Sequence, residues 1–163
     1  MVDLRKPNKN TRKMTSPMPD MEGMLRRVCQ HPFRSVLDLK GAYEQICVIP
    51  EHVPRTAVTM PDGNMVSHVI QQGNCNAPAT HQALMNHIFS VLIGRCMDVY
   101  LDNIIVYFSM LEQHMKDVKL VINILTREKL YLSKKKLQFL APEINLLDHL
   151  IDDDGVTNML FLP

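Results

Sequence analysis

An excess of charge of one sign is missing from this sequence: 18 Lys and Arg stand against 17 Asp and Glu, a formal net charge of +1. That argues against a protein that holds nucleic acid by bulk charge alone. Cysteine is sparse and scattered. Cys29, Cys47, Cys75 and Cys96 form no CxxC pair, and the seven His do not fall at metal-ligand spacings from them, so a structural zinc site is not expected. No apolar run approaches the roughly 18 residues of a membrane span. Residues 1–13 carry charges with no apolar stretch behind them, which is not a secretory signal. Dispersed thiols in such a chain read as reduced, small buried residues of an intracellular protein with no membrane contact. Internal repeats and low-complexity linkers are absent too. What remains, 46% apolar and 21% charged residues, is the composition of one soluble domain over 1–163 with a sizeable core.

The charges are unevenly placed. Arg5, Lys6, Lys9, Arg12 and Lys13 form one basic cluster, and Lys134, Lys135 and Lys136 another. Each reads either as a solvated surface or as a phosphate-facing patch. Asp152, Asp153 and Asp154 before Gly155 read as an exposed acidic turn. The first 19 residues, punctuated by Pro7, Pro17 and Pro19, are expected to run extended. Asp20 can cap a helix with Met21, Met24, Leu25 and Val28 on one face, stopped at His31-Pro32. A strand is expected at 35–39 and an apolar stretch at 46–49. Segments 55–60 and 65–70 flank Pro61-Asp62-Gly63, a hairpin signal. Asn76 and Pro78 start a helix over about 78–93 with Leu84, Met85, Ile88, Phe89 and Leu92 inward, ended by Gly94. Segment 96–108 reads as two strands around Asp102-Asn103. Leu111, Met115, Val118, Ile122 and Leu125 mark the core face of a helix over 111–129, and 137–140 with 144–151 read as a last strand pair. Hairpins with helices between them predict an α+β fold, an antiparallel sheet backed by helices.

Two segments carry chemistry. In Met97–Tyr107, apolar strand residues flank Asp102-Asn103, and a hairpin tip would bring both side chains to the end of the sheet. Taken alone, this is equally a turn whose Asp-Asn pair tolerates positive φ. In Ser35–Tyr43, the lone carboxylate of Asp38 sits in an apolar strand before Lys40-Gly41. Burying it is costly unless it is paired or binds a cation, although a bond to backbone at a strand end would also serve. Two aspartates on neighbouring strands can hold paired magnesium ions for in-line phosphoryl transfer.

Four blocks in order identify the chain as similar, over nearly its whole length, to the reverse transcriptases of gypsy-class long-terminal-repeat retrotransposons. Val2–Asn8 is similar to the family's opening block and Asp38–Tyr43 to its first catalytic block. Gln72–Thr80 resembles its template-gripping block, and Tyr100-Leu101-Asp102-Asn103 its Tyr-x-Asp-Asp box. The resemblance implies a fingers-and-palm unit copying an RNA or DNA template-primer with deoxynucleoside triphosphates and two Mg2+ ions. Fingers would come from residues 1–30 and the hairpin at 61–63. By position, Asp38, Asp102 and Asn103 match the catalytic triplet, with Asp38, Asp102 and the Leu39 carbonyl as metal ligands. Lys40, Gly41 and Ala42 match the turn beneath the triphosphate, and Tyr43 the gate against a 2′-hydroxyl. Gln72 matches a nucleotide contact and Gly73 a template contact. Tyr100 and Leu101 match the template/primer side of the box, Leu101 facing the primer end. A small RNA-recognition sheet shares the α+β pattern, but the paired base-stacking aromatics of such sheets are lacking.

Three departures from the family pattern predict weak or lost activity. Asn103 replaces the second box aspartate and keeps an oxygen donor without its charge. At an effective dielectric of about 20, a unit charge pair roughly 4 Å apart is worth about 4 kcal/mol, which is several decades of rate at about 1.36 kcal/mol per decade. Asp148 stands where the family has glycine beside the primer-gripping loop. The upstream basic residues that hold the triphosphate, and the thumb, connection and RNase H regions, are not in this sequence. The expectation is a fragment of a decayed element, either a crippled polymerase or a non-catalytic nucleic-acid binder.

Overall fold

The computed structural model describes residues 3–147 and 149–158. Val2 and the Asp148 substitution therefore lie outside the described residues. The amino-terminal segment is not wholly extended: Arg5–Asn10 forms a helix, α1. Pro7 falls in its first turn, where a missing N–H costs nothing. Helix α2, Met21–Cys29, buries Met24, Leu25 and Val28 as the spacing predicts, though Asp20 makes no side-chain capping bond. Strand β1 is Phe33–Asp38. The hairpin around Pro61-Asp62-Gly63 is shorter than predicted, with β2 at Val58–Met60 and β3 at Gly63–Met65. Pro50–Thr56 winds into a 3-10 helix instead of extending the first arm, because Pro50 and Pro54 cannot donate to a ladder. Beyond the hairpin, Ile46–Val48 and His68–Ile70 keep only a few backbone bonds.

Helix α3 spans Ala77–Ile88, shorter than 78–93, and Phe89 caps it. Strands β4 (Met97–Tyr100) and β5 (Asn103–Phe108) follow, then helix α4 (Leu111–Arg127). The predicted inner face of α4 is partly wrong. Leu111, Met115 and Ile122 are exposed, whereas His114, Asp117, Val118, Val121 and Leu125 are buried. The real stripe passes through two polar residues, so an apolar tally misplaces it. The last strand pair is also different. Gln138–Phe139 (β6) joins the main sheet, while Ile144–Leu146 (β7), His149–Ile151 (β8) and Val156–Asn158 (β9) make a separate three-stranded sheet.

The main sheet runs β4-β5-β1-β6, all antiparallel. Strand alternation sends its side chains into two cores. Leu37, Val99, Ile104 and Val106 face α3 and α4, meeting Met85, Phe89, Val121 and Leu125. Val36, Ile105 and Tyr107 face α2 and the small sheet, meeting Met24, Val28, Ile144 and Ile151. The fold is α+β with a helix-backed antiparallel sheet, and both cores leave the β1 and β4–β5 ends open at one edge. Of the cysteines, Cys96 is buried, Cys29 and Cys75 are half-buried and Cys47 is exposed, which corrects the expectation that all four are buried. Among the described residues, no helix is long and apolar enough to cross a membrane.

Candidate active site

Antiparallel pairing of β1 with β5 puts Asp38 directly opposite Asn103. Directly opposed residues share a face, so the carboxylate and the amide lie side by side on the face of Val36 and Ile105. The turn between β4 and β5 consists of Leu101 and Asp102, with Tyr100 opposite Asn103. Asn103 thus already belongs to the strand, and the positive φ expected of the Asp-Asn pair falls on Leu101 instead, at 53°. A branched side chain resists that conformation. The Leu39 N–H donates to the Asp102 carbonyl at 3.1 Å, closing the sheet end across the two acidic segments.

Neighbouring side chains hold this arrangement in place. From α3, Gln82 Nε2 donates to the Val99 carbonyl at 3.2 Å while its Oε1 accepts from the Leu101 N–H at 2.9 Å, clamping the strained turn. His81, fully buried, meets the Tyr43 ring edge-on at 5.8 Å between centroids. Neither of its ring nitrogens has a hydrogen-bond partner among the described residues. Burial lowers the His81 pKa from its usual 6.5, against weaker opposition from the Asp102 charge and the Leu101 backbone. Burial, then the Asp102 charge, raises the Tyr43 phenol. The Asp102 carboxylate is therefore felt at both Tyr43 and His81. Asp38 instead accepts a hydrogen bond from Lys136 Nζ at 3.2 Å. A cleft of about 360 Å³ opens there, lined by Asp38, Asn103, Lys135, Lys136, Gln138 and Asn145 among others.

The remaining predicted positions divide into two groups. Gly41 takes φ 56° and starts a short 3-10 helix, Ala42–Gln45, with Ala42 buried, Tyr43 half-buried and Lys40 exposed. Gln45 ties this turn down, donating to the Lys40 and Tyr131 carbonyls at 2.6 and 3.0 Å. Gln72 is exposed and Gly73 adopts φ 90° in a loop stitched to the amino terminus, where Asn8 donates to the Gly73 carbonyl at 2.8 Å. Among the described residues, no hydrogen bond joins that loop to the aspartates. Sequence reasoning missed Gln82, His81 and Gln45, and saw Lys136 only as part of a basic run. A glutamine inside an apolar helix face was the one available signal.

Among the described residues, no three His, Cys, Asp or Glu side chains cluster as a metal cage would need. The candidate donors, two carboxylates, a backbone carbonyl and an amide, are nonetheless hard oxygens of the class magnesium takes, though the Asp38 carboxylate is engaged by Lys136 while the Asp102 charge is felt at Tyr43 and His81. They fit a divalent cation in kind, with one negative charge fewer than a third carboxylate would supply. Buried Asp98, by contrast, is structural: it receives Arg27 through two bonds of 3.0 Å and the Tyr107 hydroxyl at 2.8 Å.

This strand-and-turn constellation on a helix-backed sheet is that of a nucleic-acid polymerase palm, and residues 1–151 match the family model described as reverse transcriptase (RNA-dependent DNA polymerase). The chain belongs to that family. It is 32% identical over 156 residues to the retrovirus-related Pol polyprotein from transposon 297 of Drosophila melanogaster, covering 96% of this chain and 15% of that polyprotein. To the enzymatic polyprotein of cauliflower mosaic virus (strain NY8153) it is 29% identical, covering 94% of this chain and 22% of the relative. Thus it spans less than a quarter of either relative. The foamy viral protease-reverse transcriptase, solved in complex with RNA/DNA hybrid, superimposes with a TM-score of 0.87 at 24% identity, over 96% of this chain and 21% of that one.

Proposed function

We propose that residues 1–163 are the fingers-and-palm unit of a retrotransposon RNA-directed DNA polymerase whose chemistry Asn103 severely weakens. The observation that supports this most is the meeting of Asp38 with the 101–103 turn, in a chain of the reverse transcriptase family. The substrates would be an RNA or DNA template-primer and deoxynucleoside triphosphates. In the reaction, the primer 3′-hydroxyl gives its proton to solvent water, its oxygen bonds to the α-phosphorus, the bond from that phosphorus to the β-phosphate oxygen breaks, and pyrophosphate leaves. Bound Mg2+ would supply charge at the attacking and leaving oxygens.

The chain's own residues do the positioning. Asp38, Asp102 and the Leu39 carbonyl would hold the cation, Leu101 would face the primer end, and Gly73 and Tyr100 would line the template/primer path. The N–H groups of the Lys40–Ala42 turn would meet the triphosphate, with Gln72 near its sugar. The Tyr43 ring, backed by His81, would exclude a 2′-hydroxyl. Primer extension by the chain and by Asn103→Asp tests this. The aspartate variant should be faster by several decades, and equal rates would remove the claimed impairment. The Asp38 contact with Lys136 and the neutral Asn103 favour a second reading, a non-catalytic nucleic-acid-binding domain. Salt-sensitive RNA binding with no turnover in either protein would select it.

A further inference from the structure

The three lysines of the 134–136 run are not equivalent. All three are exposed, yet among the described residues only Lys136 of the run pairs with a carboxylate, its ammonium reaching Asp38 at 3.2 Å. That is the only side-chain bond Asp38 accepts among the described residues. The approach is built by backbone on both sides of the lysine. On one side, the Ser133 N–H donates to the Asp38 carbonyl at 2.8 Å, and the Lys136 N–H donates to the Ser133 carbonyl at 3.2 Å. On the other, Gln138 pairs with Val36 in the strand that carries Asp38. The segment bearing Lys136 is thus fastened to the strand bearing its partner, before and after.

We infer that Lys136 is the resident counter-cation of Asp38 and competes with a divalent cation for that carboxylate. The inference rests on the reading of Asp38 and Asp102 as a cation site. Two carboxylates carry two negative charges, Lys136 cancels one, and Asn103 restores none. The Lys136 side chain is 65% exposed against 9% for that of Asp38, so the ammonium can swing into solvent when a cation arrives. Displacing it weakens cation binding rather than forbidding it.

Mn2+ binding, read from the electron paramagnetic resonance of the free ion, tests this without any turnover. Lys136→Met should bind Mn2+ about tenfold more tightly than the unaltered chain, and Lys136→Gln should behave likewise. Lys136→Arg, which keeps the charge, should show no such gain. Asn103→Asp should also bind more tightly, and Asp38→Asn should lose binding. If Asn103→Asp gains affinity but neither neutral Lys136 variant does, the counter-cation role is overturned while the cation site stands. A gain for Lys136→Arg equal to that for Lys136→Met would overturn it too, since packing rather than charge would then be responsible. If Asp38→Asn binds Mn2+ as the unaltered chain does, the cation site itself falls and the role of Lys136 with it.

Discussion

Asp98 and Asp38 are both buried strand carboxylates, yet their surroundings assign them different work. Asp98 is fully satisfied by Arg27 and the Tyr107 hydroxyl, so it anchors α2 to the sheet. Arg27→Met would leave that carboxylate buried without its cation, and the chain should lose roughly 2–3 kcal/mol in a urea titration, less than a fully buried pair because the guanidinium is 40% exposed. His81 is the opposite case, a buried polar ring whose nitrogens have no well-formed hydrogen bond among the described residues. Replacing it by an apolar side chain of similar volume, His81→Leu, removes two unsatisfied nitrogens and should raise stability by about 1 kcal/mol. Calorimetry would check both, and destabilisation by His81→Leu would mean that the ring has a partner in solution.

Helix α4 shows where sequence patterning succeeds and fails. Leu125 is both predicted and found in the core, and Leu125→Ala should cost about 2–5 kcal/mol. Met115, predicted inward but exposed, should tolerate Met115→Lys within about 0.5 kcal/mol. The helix itself was legible from its period, but its orientation was not, because His114 and Asp117 occupy the buried stripe. His114 does so by bonding Ser35 Oγ at 2.8 Å across the core, a long-range partner that no local pattern displays. The same holds at the active site. Asp38, Asp102 and Asn103 were legible as polar breaks beside turns in apolar strands. Gln82, which clamps the 99–101 segment, and Lys136, delivered by β6, act through contacts distant in sequence. The first hairpin arm starts late because the 3-10 helix containing Pro50 and Pro54 runs on to Thr56, whereas no local signal marks the early end of the second arm.

Over the whole molecule, the buried histidines contribute to the response to acid. Burial lowers the pKa of both His81 and His114 below the ordinary 6.5, with Asp102 and Asp117 respectively opposing. Below pH 6.5 the unfolded chain takes up protons that the folded chain refuses, so stability should fall as pH drops from 6.5 toward the lower folded values. Thermal melts of His81→Leu should show a shallower acid decline, and an unchanged slope would assign the effect elsewhere. The fold brings segments distant in the chain to one sheet end, and the account depends on those segments sharing a cation. Residue-resolved NMR of the labelled chain during Mn2+ addition tests this most directly. The account predicts paramagnetic broadening of amides 37–40 and 101–104 together at the lowest additions. Broadening confined to one of these segments, or appearing first at the acidic turn 152–155, would contradict it.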